Sequence, residues 1–473
     1  MDIIFDMTPL MKFISLPTHI FLWRFFLYGG WIPIAIVFLW GAREVWLKYV
    51  RTQFARKQKF IMLAIDIPKG NEQTPKAVEN LFTYLSGAQG SIDLYEKWWN
   101  GKFQLSFSLE IVSINGYTQF LIRTPVQFRN LVESAVYAQY PDAEITEVND
   151  YTEGIPRKYP DDEWDIWGVE IIQALPSAYP IKTYKDFEDL TSAPGEQYKD
   201  TMASLMDLCS SLREGEQLWY QIVLIPAGFD WPEIGDKAIS KILGENTSKK
   251  NIVDKFADFF LEILTSFSEM IYPMWGDVKD AKKEDENMFK MFNLKPKERK
   301  QIDAIQDKVS KLGFEFKMRM VYVAKKEIMN KGKVVSGFFG WIKQFVSMDL
   351  NNLKPDMAKT ATRGKYFFID QVANMKKNRL INNYIDREDW AGRLPGLLNI
   401  EELASIWHFP SEATVKAPMI QKAPGRKAEP PATLPIGEEI ISEELSGPIF
   451  DEETEKLFKA EEKGAPPENL PIK

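Results

Sequence analysis

The chain has 473 residues, of which 45% are hydrophobic and 13% aromatic, and it contains one cysteine, Cys209. This length and composition are typical of two or three globular units rather than of a disordered protein. A lone cysteine excludes an intramolecular disulfide and a cysteine cluster for zinc or iron–sulfur. The net charge is −8, but residues 437–473 hold eleven acidic and four basic residues. That local charge of −7 leaves −1 elsewhere, which excludes a strongly basic, DNA-binding body.

An uncharged stretch near the N-terminus predicts a membrane anchor. The sequence FFLYGGWIPIAIVFLWGA runs from Phe25 to Ala42 without a charged residue. Its 18 residues would form a helix of about 27 Å, close to the hydrocarbon thickness of a bilayer. Trp31 and Trp40 stand where interfacial aromatic residues occur in such helices. We therefore predict a transmembrane helix over 25–42, preceded by an interfacial segment over 1–24.

The charges that flank this stretch predict its orientation. Six basic residues follow it, whereas only two precede it. By the positive-inside rule, the N-terminus lies outside and the C-terminal body lies in the cytoplasm, on a single-pass protein of the inner (cell) membrane. Residues 43–57, which begin with Arg43, are predicted to form a basic juxtamembrane helix. Phe25, Trp31, Trp40 and Arg43 are the candidate anchor residues.

Residues 58–150 carry a six-element pattern. Apolar residues alternate with others over 59–67 and 103–111, and Asn115-Gly116 is a strong hairpin signal before a third strand over 117–124. Helices are predicted to begin after Thr74 and Thr124, each of which precedes a proline, and 143–148 is predicted to form a last strand. The order βαββαβ predicts a ferredoxin-like unit.

A second ferredoxin-like unit is predicted over 160–350. Its strands are expected over 164–174, 216–226 and 314–323, with a helix over 198–212 and a helical insertion over 232–312 that includes helices at 252–271 and 296–312. Residues 351–410 are predicted to form a helical C-terminal segment, and 411–473 a proline-rich linker with an acidic, disordered tail. The predicted fold class is therefore α+β, with an N-terminal transmembrane helix.

No catalytic, cofactor or metal site is predicted. Motifs for a P-loop, a G-x-S-x-G nucleophile, H-E-x-x-H and C-x-x-C are all absent. The chain has only two histidines, His19 beside the anchor and His408, which we interpret as a packed or capping side chain. Cys209 is expected in the core, because its neighbours are apolar at helical spacing. We therefore predict a protein that is not an enzyme and binds no cofactor; an enzyme with an unfamiliar site is the alternative.

One basic and aromatic segment, 365–387, is a candidate contact for nucleic acid, lipid headgroups or a partner. Its candidate contact residues are Tyr366, Lys376, Lys377 and Arg379. The alternative is a solvated helix in which Phe368, Val372 and Met375 are buried.

Four stretches carry a family resemblance: GGWIPIAIVFLWGAREVW, FQLSFSLEIVSINGYTQFLIRTP, AQYPDAEITEVNDYT and LLNIEELASIWHFP. Together they resemble the membrane-anchored N-terminal region of bacterial type IV secretion-like conjugative DNA-transfer ATPases of the HerA–FtsK class. The motif that leads into the motor in that family corresponds here to Glu402, Leu403, His408 and Pro410. After Pro435 this chain has an acidic segment and no P-loop, so the resemblance does not extend to the motor domain.

The resemblance implies a scaffold or accessory subunit of a type IV secretion-like apparatus that transfers DNA or protein. Its expected partners are the membrane, a separate hexameric motor ATPase and other subunits of the secretion complex, in an oligomeric assembly. The alternative is a membrane-attached binding module for single-stranded nucleic acid or a peptide substrate.

Overall fold

The computed structural model describes residues 17–68, 73–187, 200–228, 230–244, 294–364 and 366–411. The first of these segments begins with two helices, α1 (Thr18–Phe25) and α2 (Trp31–Lys57), which are joined by a π-helical turn, Phe26–Gly30. The backbone breaks at Gly29, where φ is 102°, a conformation that a residue without a Cβ adopts freely. The predicted helix over 25–42 is therefore interrupted, and the predicted juxtamembrane helix over 43–57 is the second part of α2.

In the described part of the chain, no helix is both long enough and apolar enough to cross a membrane. The uncharged stretch lies on both sides of the break at Gly29, and its share of α2 ends at Ala42, before Arg43. That share has a length of roughly 18 Å at the rise of an α-helix. The predicted single-pass helix over 25–42 finds no support in this geometry.

The next residues fold into four strands and three helices. The alternating apolar residues do form strands, and the two Thr-Pro steps do precede helical segments. Between the first helix and the second strand lies a short helix that the sequence pattern does not predict. The elements are β1 (Phe60–Asp66), α3 (Pro75–Ser86), α4 (Leu94–Trp98), β2 (Phe107–Ile114), β3 (Tyr117–Pro125), a 3₁₀ turn (Val126–Phe128), α5 (Arg129–Gln139) and β4 (Glu144–Val148).

The second half repeats this order with additions. The three predicted strands are present, and the described parts of the predicted insertion are helical; the predicted helix at 252–271 and the tail at 412–473 lie outside the described residues. The elements are β5 (Trp164–Gln173), a 3₁₀ turn (Tyr184–Phe187), α6 (Ala203–Ser210), β6 (Glu216–Pro226), α7 (Glu233–Ile242), α8 (Pro296–Val309), β7 (Gly313–Lys325), α9 (Lys331–Ile342), a 3₁₀ turn (Lys343–Phe345), β8 (Leu353–Pro355), α10 (Ile369–Ile385), β9 (Gly396–Asn399) and α11 (Ile400–Ile406).

All these strands belong to one antiparallel sheet, in the order β4-β1-β3-β2-β6-β7-β5-β8, with β9 also paired to β7. Each half contributes four strands, β1–β4 or β5–β8. Counted from the outer edge of the sheet to its centre, each half has its strands in the chain order fourth, first, third, second. The halves join where β2 pairs with β6, so that Glu110 lies opposite Gln221. The sequence pattern predicts two separate units; the structure has a mixed α+β architecture with one continuous sheet.

Both faces of the sheet are covered. Leu63 and Ile65 of β1 point into the larger core, beneath the helices. Their neighbours Met62 and Ala64 point into a second core on the opposite face, which α10 covers. This is why β6 is buried along its whole length. Two-sided burial removes the solvated face that the alternating pattern suggests.

Two expectations for the C-terminal region are wrong. Residues 351–410 are not simply helical, because β8 and β9 return to the sheet. The buried residues of α10 are Leu380, Ile381, Tyr384 and Ile385. Of the three residues expected to be buried in the solvated-helix alternative, Phe368 and Met375 are exposed and Val372 is half-buried, because the helix buries residues only in its last two turns.

Candidate functional site

The N-terminal helices present a large exposed apolar surface. Trp31, Trp40 and Arg43, three of the candidate anchor residues, are exposed on α2, and Phe25 is the last residue of α1. Phe38 is 77% exposed although it lies in the middle of the apolar run. Large contiguous apolar surfaces of soluble proteins mark contacts with other molecules or with lipid. The exposed apolar side chains of α2 before Arg43 are Trp31, Ile32, Ile34, Ile36, Val37, Phe38, Leu39 and Trp40.

The second part of α2 is fixed to the body. Leu47 and Val50 are buried, and the Trp46 Nε1 donates a hydrogen bond to the Trp98 carbonyl oxygen at 2.8 Å. Phe54 packs edge-to-face against Phe103, with ring centroids 5.4 Å apart. One helix thus has an exposed apolar first part and an anchored second part.

Gly101 allows this close docking. Its φ is +65°, and a Cβ at this position would lie 2.3 Å from the backbone carbonyl of Val50. Any side chain would therefore push α2 away from the body, and the left-handed backbone would add strain. Sequence reasoning did not identify Gly101, although the glycine directly after Trp98-Trp99-Asn100 was visible.

The basic and aromatic segment has mixed exposure. Tyr366 is 79% exposed, and Arg379 is also exposed. The Lys377 ammonium forms an ion pair with Asp165, and the Lys376 Nζ is 3.5 Å from the Ala358 carbonyl oxygen. Lys377 is thus committed to the body, and the exposed candidates are Tyr366 and Arg379.

The family-motif residues lie in the interior. Leu403 is buried, and the Glu402 carboxylate accepts hydrogen bonds from the backbone N–H of Asn399 (2.9 Å) and Ile181 (2.8 Å). The Glu402 Oε2 also lies 2.8 Å from the Lys308 Nζ, and both side chains are fully buried. Burial lowers the pKa of Lys308, and Glu402 opposes this effect. Glu402 therefore joins α11 to α8 and to the loop at Ile181.

His408 is also a structural residue. Its Nε2 lies 3.0 Å from the Asp200 Oδ1, and its Nδ1 lies 2.7 Å from the Ala404 carbonyl oxygen. Burial alone would raise the pKa of Asp200, but His408 and two backbone N–H donors lower it. Pro410 follows this buried pair at the end of the described segment. The interpretation of His408 as a packed, capping side chain agrees with these contacts.

A row of buried polar side chains crosses the central strands on the α10 face, and sequence reasoning missed it. Gln221 donates to the Glu110 Oε1 (3.1 Å), and the Arg319 Nη1 donates to the Gln221 Oε1 (3.0 Å). The Arg319 Nε lies 3.4 Å from the Glu170 Oε1 at the other end. All four side chains are buried. The sequence shows them as the polar half of alternating strands, a pattern that predicts a solvated face.

Arg387, two residues after the end of α10, closes one end of this row. Its guanidinium pairs with Glu110, at 3.0 Å from Nε to Oε1, and with Asp150. The Tyr151 hydroxyl donates to the Glu110 Oε2 at 2.7 Å. Burial would raise the pKa of Glu110, but the charge and hydrogen bonds of Arg387 hold it below its ordinary value. These contacts attach α10 to the centre of the sheet.

A cavity of about 420 Å³ lies at the other end, beside Glu170 and Lys317. Burial lowers the pKa of Lys317 to about 8, a shift that is common at functional sites. The Lys317 Nζ, however, donates to the carbonyl oxygens of Ala391 and Arg393 and lies 3.7 Å from Glu170. The protein thus satisfies this amine, which holds the 391–396 loop against the sheet.

The described residues give no sign of a metal centre, and their one cysteine is not an activated nucleophile. No group of three His, Cys, Asp or Glu side chains in these segments is arranged to hold a metal ion. Cys209 is buried, as predicted, and burial raises the pKa of its thiol to about 12, which disfavours a nucleophilic thiolate. No protein family model matches the chain, and no curated protein matches it significantly.

Proposed function

We propose that this protein is a membrane-attached, non-enzymatic scaffold of a type IV secretion-like apparatus. The observation that carries the proposal is the division of α2: its first part exposes apolar side chains, and its second part is fixed to the body through Trp46, Val50 and Phe54. Inserting the first part into a bilayer would stabilise the attached state by about 25 cal/mol for each Å² of apolar surface removed from water. The body would then stand at the membrane surface.

The direction of attachment follows from the flanking charges. Basic residues crowd the second part of α2 and the segment after it, up to Lys59. We propose that the body lies at the cytoplasmic side of the inner membrane, which is the side that basic flanking residues favour. The two halves of the sheet, which share one strand order, would act as paired ferredoxin-like units.

The proposed partner is a separate hexameric motor ATPase of the HerA–FtsK class. The family resemblance supports this partner, because the stretches that carry it belong to the region that leads into the motor of that family, and residues 1–473 contain no P-loop. The acidic residues after position 437 offer a charged docking element for a basic partner surface.

Purification from native membranes in mild detergent tests this role. We expect a P-loop ATPase to co-purify with the full chain, and a variant without residues 437–473 to lose it most strongly at low salt, where charge attraction is least screened. The variant with the tail sequence scrambled, which keeps its charge, is the control. A full chain that carries no ATPase in membranes containing the secretion apparatus would contradict the scaffold role.

A second candidate function is binding of single-stranded nucleic acid. Tyr366 and Phe367 are 79% and 83% exposed, and the basic Arg363 lies close in sequence. Exposed aromatic rings beside basic side chains form stacking platforms for bases. Salt-dependent binding of single-stranded DNA that is lost in a Tyr366→Ala/Phe367→Ala variant would favour this function over the scaffold.

A further inference from the structure

The short helix α4 carries a second exposed aromatic surface. Leu94 and Tyr95 are 76% and 66% exposed, and Trp99, directly after the helix, is 59% exposed. Residues four apart share one side of a helix, so Tyr95 and Trp99 project in a common direction. A solvent-facing surface built from these large side chains is costly unless another phase covers it.

This surface adjoins α2 just after its uncharged part ends. Trp99 packs edge-to-face against Trp46, with ring centroids 5.6 Å apart. The Arg43 guanidinium lies 5.0 Å from the centroid of the Trp98 ring. If the residues before Arg43 enter a bilayer, α4 lies at the level where the hydrocarbon region meets the headgroups.

The position of α4 is fixed by local contacts and by α2. Its first turn has a capping box between Asp93 and Glu96, and Lys102 forms an ion pair with Glu96 at 2.8 Å. The Trp46 Nε1 hydrogen bond to the Trp98 carbonyl oxygen ties the same turn to α2. The aromatic side chains therefore do not depend on a free loop for their placement.

The chemistry of this surface favours lipid over a protein partner. Tyrosine and tryptophan are enriched at membrane interfaces because each has an apolar ring and a polar group. The exposed cations Arg43 and Lys48 lie on α2, on either side of Trp46, and the exposed Lys97 lies on α4. Each cation near an anionic surface contributes about 1 kcal/mol.

We propose that α4 is a second membrane contact, in which Leu94, Tyr95 and Trp99, together with Trp46 and Tyr49 of α2, which are 42% and 58% exposed, enter the headgroup region of an anionic bilayer. This inference rests on the proposed attachment through α2. It adds a second point of contact and so fixes how the sheet is oriented relative to the membrane.

Site-specific labelling of the full chain tests the contact. In a Cys209→Ala background, an environment-sensitive fluorophore is attached to Leu94→Cys, to Phe38→Cys in the apolar part of α2, or to Tyr117→Cys. Tyr117 is the control, because it is an exposed residue at the start of β3. It lies about 25 Å along the strand from Phe107, the residue at which the chain enters β2 after α4. Vesicles of phosphatidylcholine with phosphatidylglycerol are the membrane.

We expect the label at Leu94 to be shielded from aqueous iodide by about twofold or more relative to Tyr117, and to be quenched by a shallow lipid-attached nitroxide. The label at Phe38 should be shielded as well. Shielding at Phe38 without shielding at Leu94 would overturn the second contact and leave the attachment through α2 intact. Equal exposure of all three positions would overturn both.

Discussion

Replacing Arg387 with methionine is expected to lower the free energy of unfolding by about 3–5 kcal/mol, because it leaves the buried Glu110 without its counter-ion. Both side chains are buried, and Arg387 also pairs with Asp150. Chemical denaturation in mild detergent measures the loss. The matched control is Arg157→Met, which removes an exposed pair with Asp386 at 3.3 Å and should cost below about 1 kcal/mol. Equal losses in the two variants would show that the buried pair does not stabilise the α10 face.

The pH dependence of this deficit has a definite sign. Glu110 and Asp150 have lowered pKa values in the wild-type protein, so the wild type loses stability as pH falls through those values. In the variant, the burial of Glu110 is no longer offset, and its pKa should rise above that of the unfolded chain. The folded variant is then stabilised as pH falls, because the Glu110 carboxyl group takes up a proton. The difference between the free energies of unfolding of the two proteins should therefore become smaller as pH is lowered from about 7 to about 4.

The second large effect is expected at the Lys308–Glu402 pair. Lys308→Met and Glu402→Gln should each lower the free energy of unfolding by about 3–5 kcal/mol, because each leaves one fully buried charge unpaired. The double variant should cost clearly less than the sum of the single losses, since neither charge remains. The exposed pair Lys237–Glu233, at 3.0 Å, is the control for the same substitutions. Additive losses at Lys308 and Glu402 would contradict a direct interaction.

The strands were predicted well because their signals are local. Alternation and the Asn115-Gly116 turn place β3 within one residue of its observed bounds and β2 within four, since side-chain period and turn geometry depend on residues that are near in sequence. The Thr74-Pro75 step likewise marks the start of α3. The pairing of β2 with β6 was not predicted, because Glu110 and Gln221 meet across more than one hundred residues.

That long-range pairing also explains why the buried polar row was missed. Glu110 and Arg319 alternate with apolar residues, which normally indicates a solvent-facing side. Here α10 covers that side, and Arg387 supplies the compensating charge from a distant segment. Nothing near Glu110 in the sequence distinguishes a buried, paired carboxylate from a solvated one.

The candidate anchor was only partly predictable for a different reason. Composition identifies the uncharged stretch, but it does not show that the backbone reverses the sign of φ at Gly29 or that α2 continues without interruption to Lys57. The aromatic surface of α4 was missed because five residues are too few for a periodic signal.

Flotation of membranes after alkaline carbonate extraction tests the attachment through α2 most directly. The full chain is compared with Ile34→Glu/Phe38→Glu, which places two carboxylates on exposed positions of the apolar part of α2, and with Tyr117→Glu/Met348→Glu, which places them on exposed positions of the body. Each carboxylate costs about 2.5–3.5 kcal/mol in a bilayer core. We predict that the wild type and the body variant float with the vesicles and that the α2 variant stays at the bottom of the gradient. A wild-type protein that stays at the bottom, or an α2 variant that floats equally well, would contradict membrane attachment.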